Sequence, residues 1–335
     1  MGRPESRDEY RREMAEAFAR VLEEKGLEWR QDWRNTASPR NGVTGACYRG
    51  SNAFWLGLTA MTKGCGDPRW VTMVQIMDRD GRYHPKEKWH LRKGSKATYV
   101  EYWFPYDVKA KKAVTWEAYG EALRNGRKPE EFRMSARYTP VFNACDVEGM
   151  PPAPELPDRG IRADGLVERL AVSMEVPVLL DGGDRAYYSR RLDEVHLPAP
   201  GAFESAYAFN AAALHELAHS TGHPSRLNRS MGSGYGTEDY AFEELVAEMC
   251  SCFAGCGLTE KPGAAHLENH RAYVWSWIRA VRNRPETLIR AIRDAQAAAS
   301  YMDWKAGLIT DKEYEESRAS SFEIRTPGRD VGDAR

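Results

Sequence analysis

The 335-residue chain carries 42% hydrophobic and 29% charged residues with a formal net charge of −1, the balance of a water-soluble globular protein. No run of 18 apolar residues occurs, and the charged opening MGRPESRDEY lacks the apolar stretch of a secretory signal, so no membrane partner and a cytoplasmic location are expected. Six cysteines in a chain of this size are too sparse for a disulfide framework and are expected to be reduced, mostly buried thiols.

This length favours two cores. Residues 8–25 place Met14, Phe18, Val21 and Leu22 at helical spacing with Gly26 just beyond, which predicts an amphipathic helix stopped by a glycine. A Gly-, Asn- and Pro-rich loop follows to Gly50, and SNAFWLGLTAMTKG predicts a short helix opened by Ser51 or Asn52. WVTMVQIM and ATYVEYWFPYDV are rich in β-branched and aromatic residues and predict strands. MPPAPELPDRG then packs four prolines into a stretch with no periodicity, as a semi-rigid linker does. The expected organisation is α+β: a small domain over residues 1–150, a linker at 151–160 and a second domain over 161–325. That second part begins with a helix (GLVERLAVSM) and short strands at VPVLL, AYYS and EVHLP, followed by helices from about Ser205, from Tyr240 to Phe253, and around AYVWSWIRAV and TLIRAIRDAQAAASYM.

The segment LHELAHSTGH sets His215 and His219 four residues apart, so on a helix both imidazoles leave one face a turn apart, where a metal ion can sit between them. Glu216 follows the first of them, in the position of the general base of a metal-dependent peptidase, with Zn2+ as the expected metal, one per chain. A third ligand is expected from YAFEELVAEMCSCF, where Glu244 and Glu248 stand one turn apart on an otherwise apolar face. Buried carboxylates are costly without partners; Glu244 on the metal and Glu248 accepting a hydrogen bond from a ligand histidine would supply them. Glu243 competes for the ligand role. The stretch follows the metzincin pattern as far as Gly222, but Ser225 stands where that pattern has its third histidine. His223 is then a candidate for polarising a substrate carbonyl, together with Tyr235, Tyr240 and Arg226. Cys250, Cys252 and Cys256 follow no ligand spacing and are expected in the core.

Between residues 30 and 100 there are 13 Lys/Arg against 5 Asp/Glu, interleaved with eight aromatics: Trp33, Tyr48, Phe54, Trp55, Trp70, Tyr83, Trp89 and Tyr99. Positive charge with stacking faces suits single-stranded nucleic acid, and a small α+β core would use the same rings. The loop SPRNGVTGACYRGSN offers backbone approach at its glycines and donors at Arg40, Asn41, Thr44, Arg49 and Asn52; KEKWHLRKGSKAT adds Lys86, Lys88, Arg92, Lys93 and Lys96. With Tyr48 and Trp55 as stacking rings, Arg40, Asn41, Thr44, Arg49, Asn52, Lys93 and Lys96 form the expected DNA-binding group.

Over nearly its whole length the chain resembles the plasmid-borne antirestriction proteins of the ArdC type, relatives of plasmid primase accessory proteins. The segments that carry the resemblance are PRNGVTGACYRGSN, RWVTMVQI, KGSK, AYYSRRLDEVHLP, HELAHSTGHPSRLNR and YAFEELVAE. The resemblance implies an N-terminal single-stranded-DNA-binding domain, a C-terminal zincin-like metallopeptidase domain, and protection of incoming plasmid DNA from host restriction. It also implies that His215, His219 and the acidic helix carry the metal, and that the Gly-rich loop belongs to the DNA-binding half. The peptide or protein substrate stays open, a restriction enzyme being one candidate. Two other readings stand beside the peptidase: a non-enzymatic protein that masks DNA around a structural or vestigial zinc, and a primase-associated accessory protein.

Overall fold

The computed structural model describes residues 4–26, 28–29, 38–84, 88–153, 165–203, 205–231, 237–254 and 271–323. Trp33, Lys86, Tyr235, Cys256 and most of the expected Pro-rich linker lie outside them. The chain opens with helix α1 (Arg7–Lys25), capped by the Ser6 side chain on the Glu9 N–H and closed at Gly26, whose φ of 54° is left-handed. Strand β1 (Arg40–Asn41) and helix α2 (Gly50–Thr62) follow. The N-cap of α2 is Arg49, two residues before Ser51 and three before Asn52, the expected caps, and the Asn52 side chain binds β4 instead.

The expected strand over WVTMVQIM splits into β2 (Arg69–Thr72) and a one-turn helix, α3 (Met73–Met77). A capping box explains the break: the Thr72 side chain takes the Gln75 N–H, and the Gln75 side chain takes the Thr72 N–H. β3 (His90–Leu91), β4 (Thr98–Asp107), β5 (Lys112–Ala113), α4 (Trp116–Arg124), β6 (Phe132–Asn143) and β7 (Val147–Glu148) complete the N-terminal half. The main sheet has the order β1-β2-β6-β4-β5. Its spine is the long antiparallel pair β4–β6, in register from Thr98↔Val141 to Asp107↔Phe132.

Cys65, beyond the end of α2, is joined to Cys145 at the end of β6 by a disulfide, so the expectation of reduced thiols fails for this pair. Cys250 is a buried free thiol, as its helical setting suggested.

The second half comprises α5 (Leu166–Met174), the three-stranded sheet β8 (Val178–Leu179), β9 (Tyr187–Ser189) and β10 (Glu194–His196), then α6 (Ala206–Ser220), α7 (Glu238–Phe253), α8 (Arg271–Asn283), α9 (Pro285–Lys305) and α10 (Asp311–Glu323). α9 is the central post: it touches α1, α2, α5, α6, α7, α8 and α10. Its buried Ala291, Ala295, Ala298 and Ala299 are small enough to let these helices approach closely. One core therefore runs from Met14, Phe18 and Phe54 of the N-terminal helices to Leu217, Leu245 and Ile292 of the C-terminal ones. Arg282 of α8 forks onto Glu16 and Glu23 of α1 at 2.5–3.0 Å. No helix among the described residues is long and apolar enough to cross a membrane.

Asn52 ties this helical core to the sheet: its amide donates to the Glu101 carbonyl at 2.7 Å and accepts the Glu101 N–H at 2.8 Å. Asn52→Ala removes both bonds from a half-buried position. It is expected to cost about 1–3 kcal/mol in denaturant unfolding. A stability within error of wild type would show that the tie is not needed.

Candidate metal centre

Helix α6 is built to be buried on nearly every side. Ser205 caps it by accepting the Ala208 N–H, its first turns are rich in alanine, and almost every side chain from Asn210 to Thr221 is buried. Such a helix has little amphipathic character, and its polar residues must find partners inside the protein. Ser220 and Thr221 do so by bonding back to the Leu217 and Ala218 carbonyls at 2.7 and 2.6 Å. His215 and His219 look instead towards α7, whose Thr237 side chain caps it on the Tyr240 N–H, and Glu216 is buried beside them on α6.

Glu244 of α7 meets both imidazoles. His215 Nε2 and His219 Nε2 stand 3.1 Å apart, and the two Glu244 oxygens lie 3.4 Å from the first and 3.5 Å from the second. All three side chains are buried. Ligand atoms about 2.0–2.2 Å from a tetrahedral zinc are about 3.3–3.6 Å from one another; the two carboxylate separations fall in that range, the 3.1 Å imidazole pair is slightly closer, and the two-nitrogen, one-oxygen donor set suits a divalent metal.

The far side of each imidazole also faces a carboxylate. Glu248 Oε1 is 3.7 Å from His215 Nδ1, and Glu243 Oε1 is 3.4 Å from His219 Nδ1. Glu243, considered as a competing ligand from sequence, thus lies behind His219 rather than beside Glu244. Burial works against charge on His219, but the carboxylates of Glu244, Glu243 and Glu216 outweigh it and hold its pKa well above the ordinary 6.5. Carboxylates that outweigh burial at a histidine mark a pocket with surplus negative charge, which a divalent cation would neutralise.

Sequence reasoning missed Arg229. Its guanidinium binds Glu243 at 2.5 and 3.3 Å, the Thr221 hydroxyl at 2.5 Å and the Ala218 carbonyl at 3.1 Å. Burial pushes the Glu243 pKa up, yet His219 and Arg229 hold it below the ordinary value. Gly222 makes room for this arrangement: a Cβ there would stand 2.9 Å from Met231 Sδ and 3.2 Å from the Arg229 guanidinium. The available signal was the charge balance, since a helix with three buried acids requires a buried cation.

The carbonyl-polarising candidates separate. His223 is held by the Ser225 hydroxyl at 2.7 Å and faces Asp193 at 3.5 Å, apart from the buried cluster. Arg226 pairs with Asp193 and donates to the Ser220 carbonyl at 2.7 Å, bracing the turn after α6 against the β9–β10 loop. Tyr240 stands one turn before Glu244 on α7.

The expected DNA-binding group also divides. Trp55 is only 3% exposed and packs in the core, so its ring has no face to offer a base. The Asn52 amide is occupied by Glu101, as described. Asn41 accepts the Val43 and Thr44 N–H groups and exchanges hydrogen bonds with Gln75, so it shapes the loop. Arg40 and Tyr48 are half-buried, while Thr44, Arg49, Lys93 and Lys96 are exposed. Of the other aromatics, Phe54 and Trp70 are core residues.

Asp193 yields a pH prediction. Burial raises its pKa, but Arg226 and the Tyr188 hydroxyl outweigh this and hold it below the ordinary 3.8. A carboxylate depressed in the fold stabilises above its unfolded value, and that stabilisation is lost as pH falls through its folded one. Arg226→Met is therefore expected to cost about 2–5 kcal/mol at pH 7 and to flatten the acid limb of stability below pH 3.8; urea unfolding across pH checks both. An acid limb as steep as wild type would dismiss the pairing as its source.

Comparisons with known proteins match two parts of the chain. Residues 8–142 match the N-terminal domain of anti-restriction factor ArdC, and residues 165–294 match a zincin-like metallopeptidase domain. Two DNA primase TraC proteins of Escherichia coli are each 32% identical over 88% and 86% of this chain, which spans only 27% and 19% of their lengths. The uncharacterized protein y4eC of Sinorhizobium fredii is 29% identical over 88% of this chain and 89% of its own. The crystal structures of antirestriction ArdC from plasmid R388, metal-free and Mn(II)-bound, both superpose with a TM-score of 0.67 over 90% of this chain. They are 26% and 27% identical to it and are covered to 98% and 99%. With both domains matched in order and one solved fold followed nearly end to end, the chain belongs to the ArdC-like antirestriction proteins, an ArdC N-terminal domain joined to a zincin-like metallopeptidase domain.

Proposed function

We propose that this chain binds single-stranded DNA through its N-terminal domain and cleaves a protein near that DNA at a metal held by His215, His219 and Glu244. The supporting observation is the convergence of those three buried side chains at ligand spacing, with Glu216 on the same helix. Zinc is our choice of metal; the ArdC neighbour with Mn(II) bound makes manganese the alternative, and a mixed imidazole and carboxylate site accepts either. The metal would supply Lewis-acid polarisation and a nucleophilic water near neutral pH.

Glu216 acts as general base: its carboxylate takes the proton of the attacking water and returns it to the nitrogen of the leaving amine. Glu243 and Glu248 hold the two imidazoles with Nε2 turned inward, and Arg229 fixes Glu243. Tyr240, one turn before Glu244 on α7, is our candidate to polarise the substrate carbonyl. The proposed target is a restriction enzyme acting on the incoming DNA in the cytoplasm.

Glu216→Gln separates this reading from DNA masking. The variant should keep one metal per chain and wild-type single-strand affinity, yet lose protein cleavage by about 10²-fold or more and lose protection of transferred plasmid DNA with it. Protection that survives in a metal-loaded Glu216→Gln protein would remove peptidase chemistry from the antirestriction role and leave masking as the explanation.

A further inference from the structure

The DNA-binding residues expected from sequence lie mainly in the loop before α2, where several of the side chains serve the fold. The β4–β6 pair supplies another surface. Alternation along a strand sends every second side chain to one face, and the register pairs Tyr102 with Arg137, Phe104 with Ser135, and Tyr106 with Arg133. These six residues share a face, and no acidic residue lies among them. Tyr102 is 59% exposed, on a stretch of β4 paired with β6 beyond the reach of the short β5. The guanidinium of Arg137 lies over the Phe104 ring at 5.5 Å and that of Arg133 over the Tyr106 ring at 5.2 Å.

The opposite face of the same strands is covered. Phe132 packs edge-on to Tyr119 of α4 at 4.9 Å, and Tyr138 packs against Tyr10 of α1 at 5.1 Å. The Thr98–Val141 end of the shared face is buried, Val100 and Val141 packing with Leu56 and Ala60 of α2 and Trp70 of β2; beyond it, from Tyr102 to Tyr106, the face carries the aromatic rings and the two arginines.

We propose that this outward face of β4–β6 is the platform on which unpaired bases of single-stranded DNA stack. The assignment rests on the single-strand binding proposed above and gives it a location. Tyr102 presents an open ring, and the guanidinium planes over Phe104 and Tyr106 offer further stacking faces while their edges reach phosphates. Rings at alternate positions of a strand are about 7 Å apart, so one extended strand can meet them in succession. A duplex keeps its bases stacked inside and has only phosphates to offer this surface.

The test is fluorescence anisotropy of the full chain with a labelled oligo-dT of about 20 nucleotides. Tyr102→Ala is expected to weaken binding about tenfold, whereas Tyr102→Phe, which keeps the ring, stays near wild type. Arg137→Gln is expected to weaken binding and to reduce the slope of log affinity against log salt by about 0.7. An unlabelled duplex of equal length should compete poorly. The melting temperature and metal content of the three variants report on folding, and the exposed position of Tyr102 makes wild-type values the expectation.

If wild type binds and Tyr102→Ala and Arg137→Gln bind as tightly, the platform is overturned and the strand is held elsewhere, with the single-strand reading intact. If duplex competes as well as single strand, stacking is overturned. If wild type binds no oligo-dT, the single-strand reading falls and the platform with it.

Discussion

Glu243, Glu244 and Glu248 occupy less than two turns of α7 and are all buried, and the structure around them is arranged to make that tolerable. An isolated buried carboxylate would take up a proton or unfold its surroundings. Here each one faces an imidazole nitrogen of α6, and Glu243 also takes the Arg229 guanidinium. The packing of α6 on α7 and the path of the chain from Gly222 to Arg229 both follow from this pairing. Gly222 lets the chain turn back so closely that Arg229 can reach across the end of α6.

The same pairing explains which parts of the site were legible in the sequence. His215, Glu216 and His219 could be placed because four-residue spacing has one meaning on a helix, and Glu244 because two acids on an apolar face demand a partner. Glu243 competes with its neighbour Glu244 for the ligand role in the sequence, and its place behind His219 could not be read there, since adjacent helical positions differ only in azimuth and the azimuth of α7 is set by its packing on α6 and α9. Arg229 was hidden because its partner is 14 residues away and no local periodicity links a turn residue to a helix across a gap of that kind.

In the N-terminal half the signals that misled were local ones overridden by tertiary contacts. WVTMVQIM has strand composition, but Thr72 and Gln75 close a capping box that converts its second half to helix. Asn41 and Asn52 have the chemistry of DNA contacts, yet each is placed where a loop or strand needs an amide. Composition alone could not tell Trp55, which fills the core, from Tyr102, which faces solvent, because the distinction depends on which face of α2 and of β4 is covered. Long-range strand pairing supplies that information, and β6, the strand that covers one side of β4, was not anticipated from its mixed sequence FRMSARYTPVFN.

α9 connects these two halves physically. It touches α2, which holds β4 through Asn52, and it touches α7, which carries the three acids. Between the β4–β6 ribbon and the metal centre there are therefore packed helices sharing one core. Packed helices transmit position with little give, because interiors are close to crystal density and cannot deform freely. A strand of DNA seated on the N-terminal half would then sit at a fixed distance from Glu216, and a protein on that strand would be presented to the site at high effective concentration. Under the proposed function, DNA would then select the substrate by proximity, and the metal centre could be undemanding about peptide sequence.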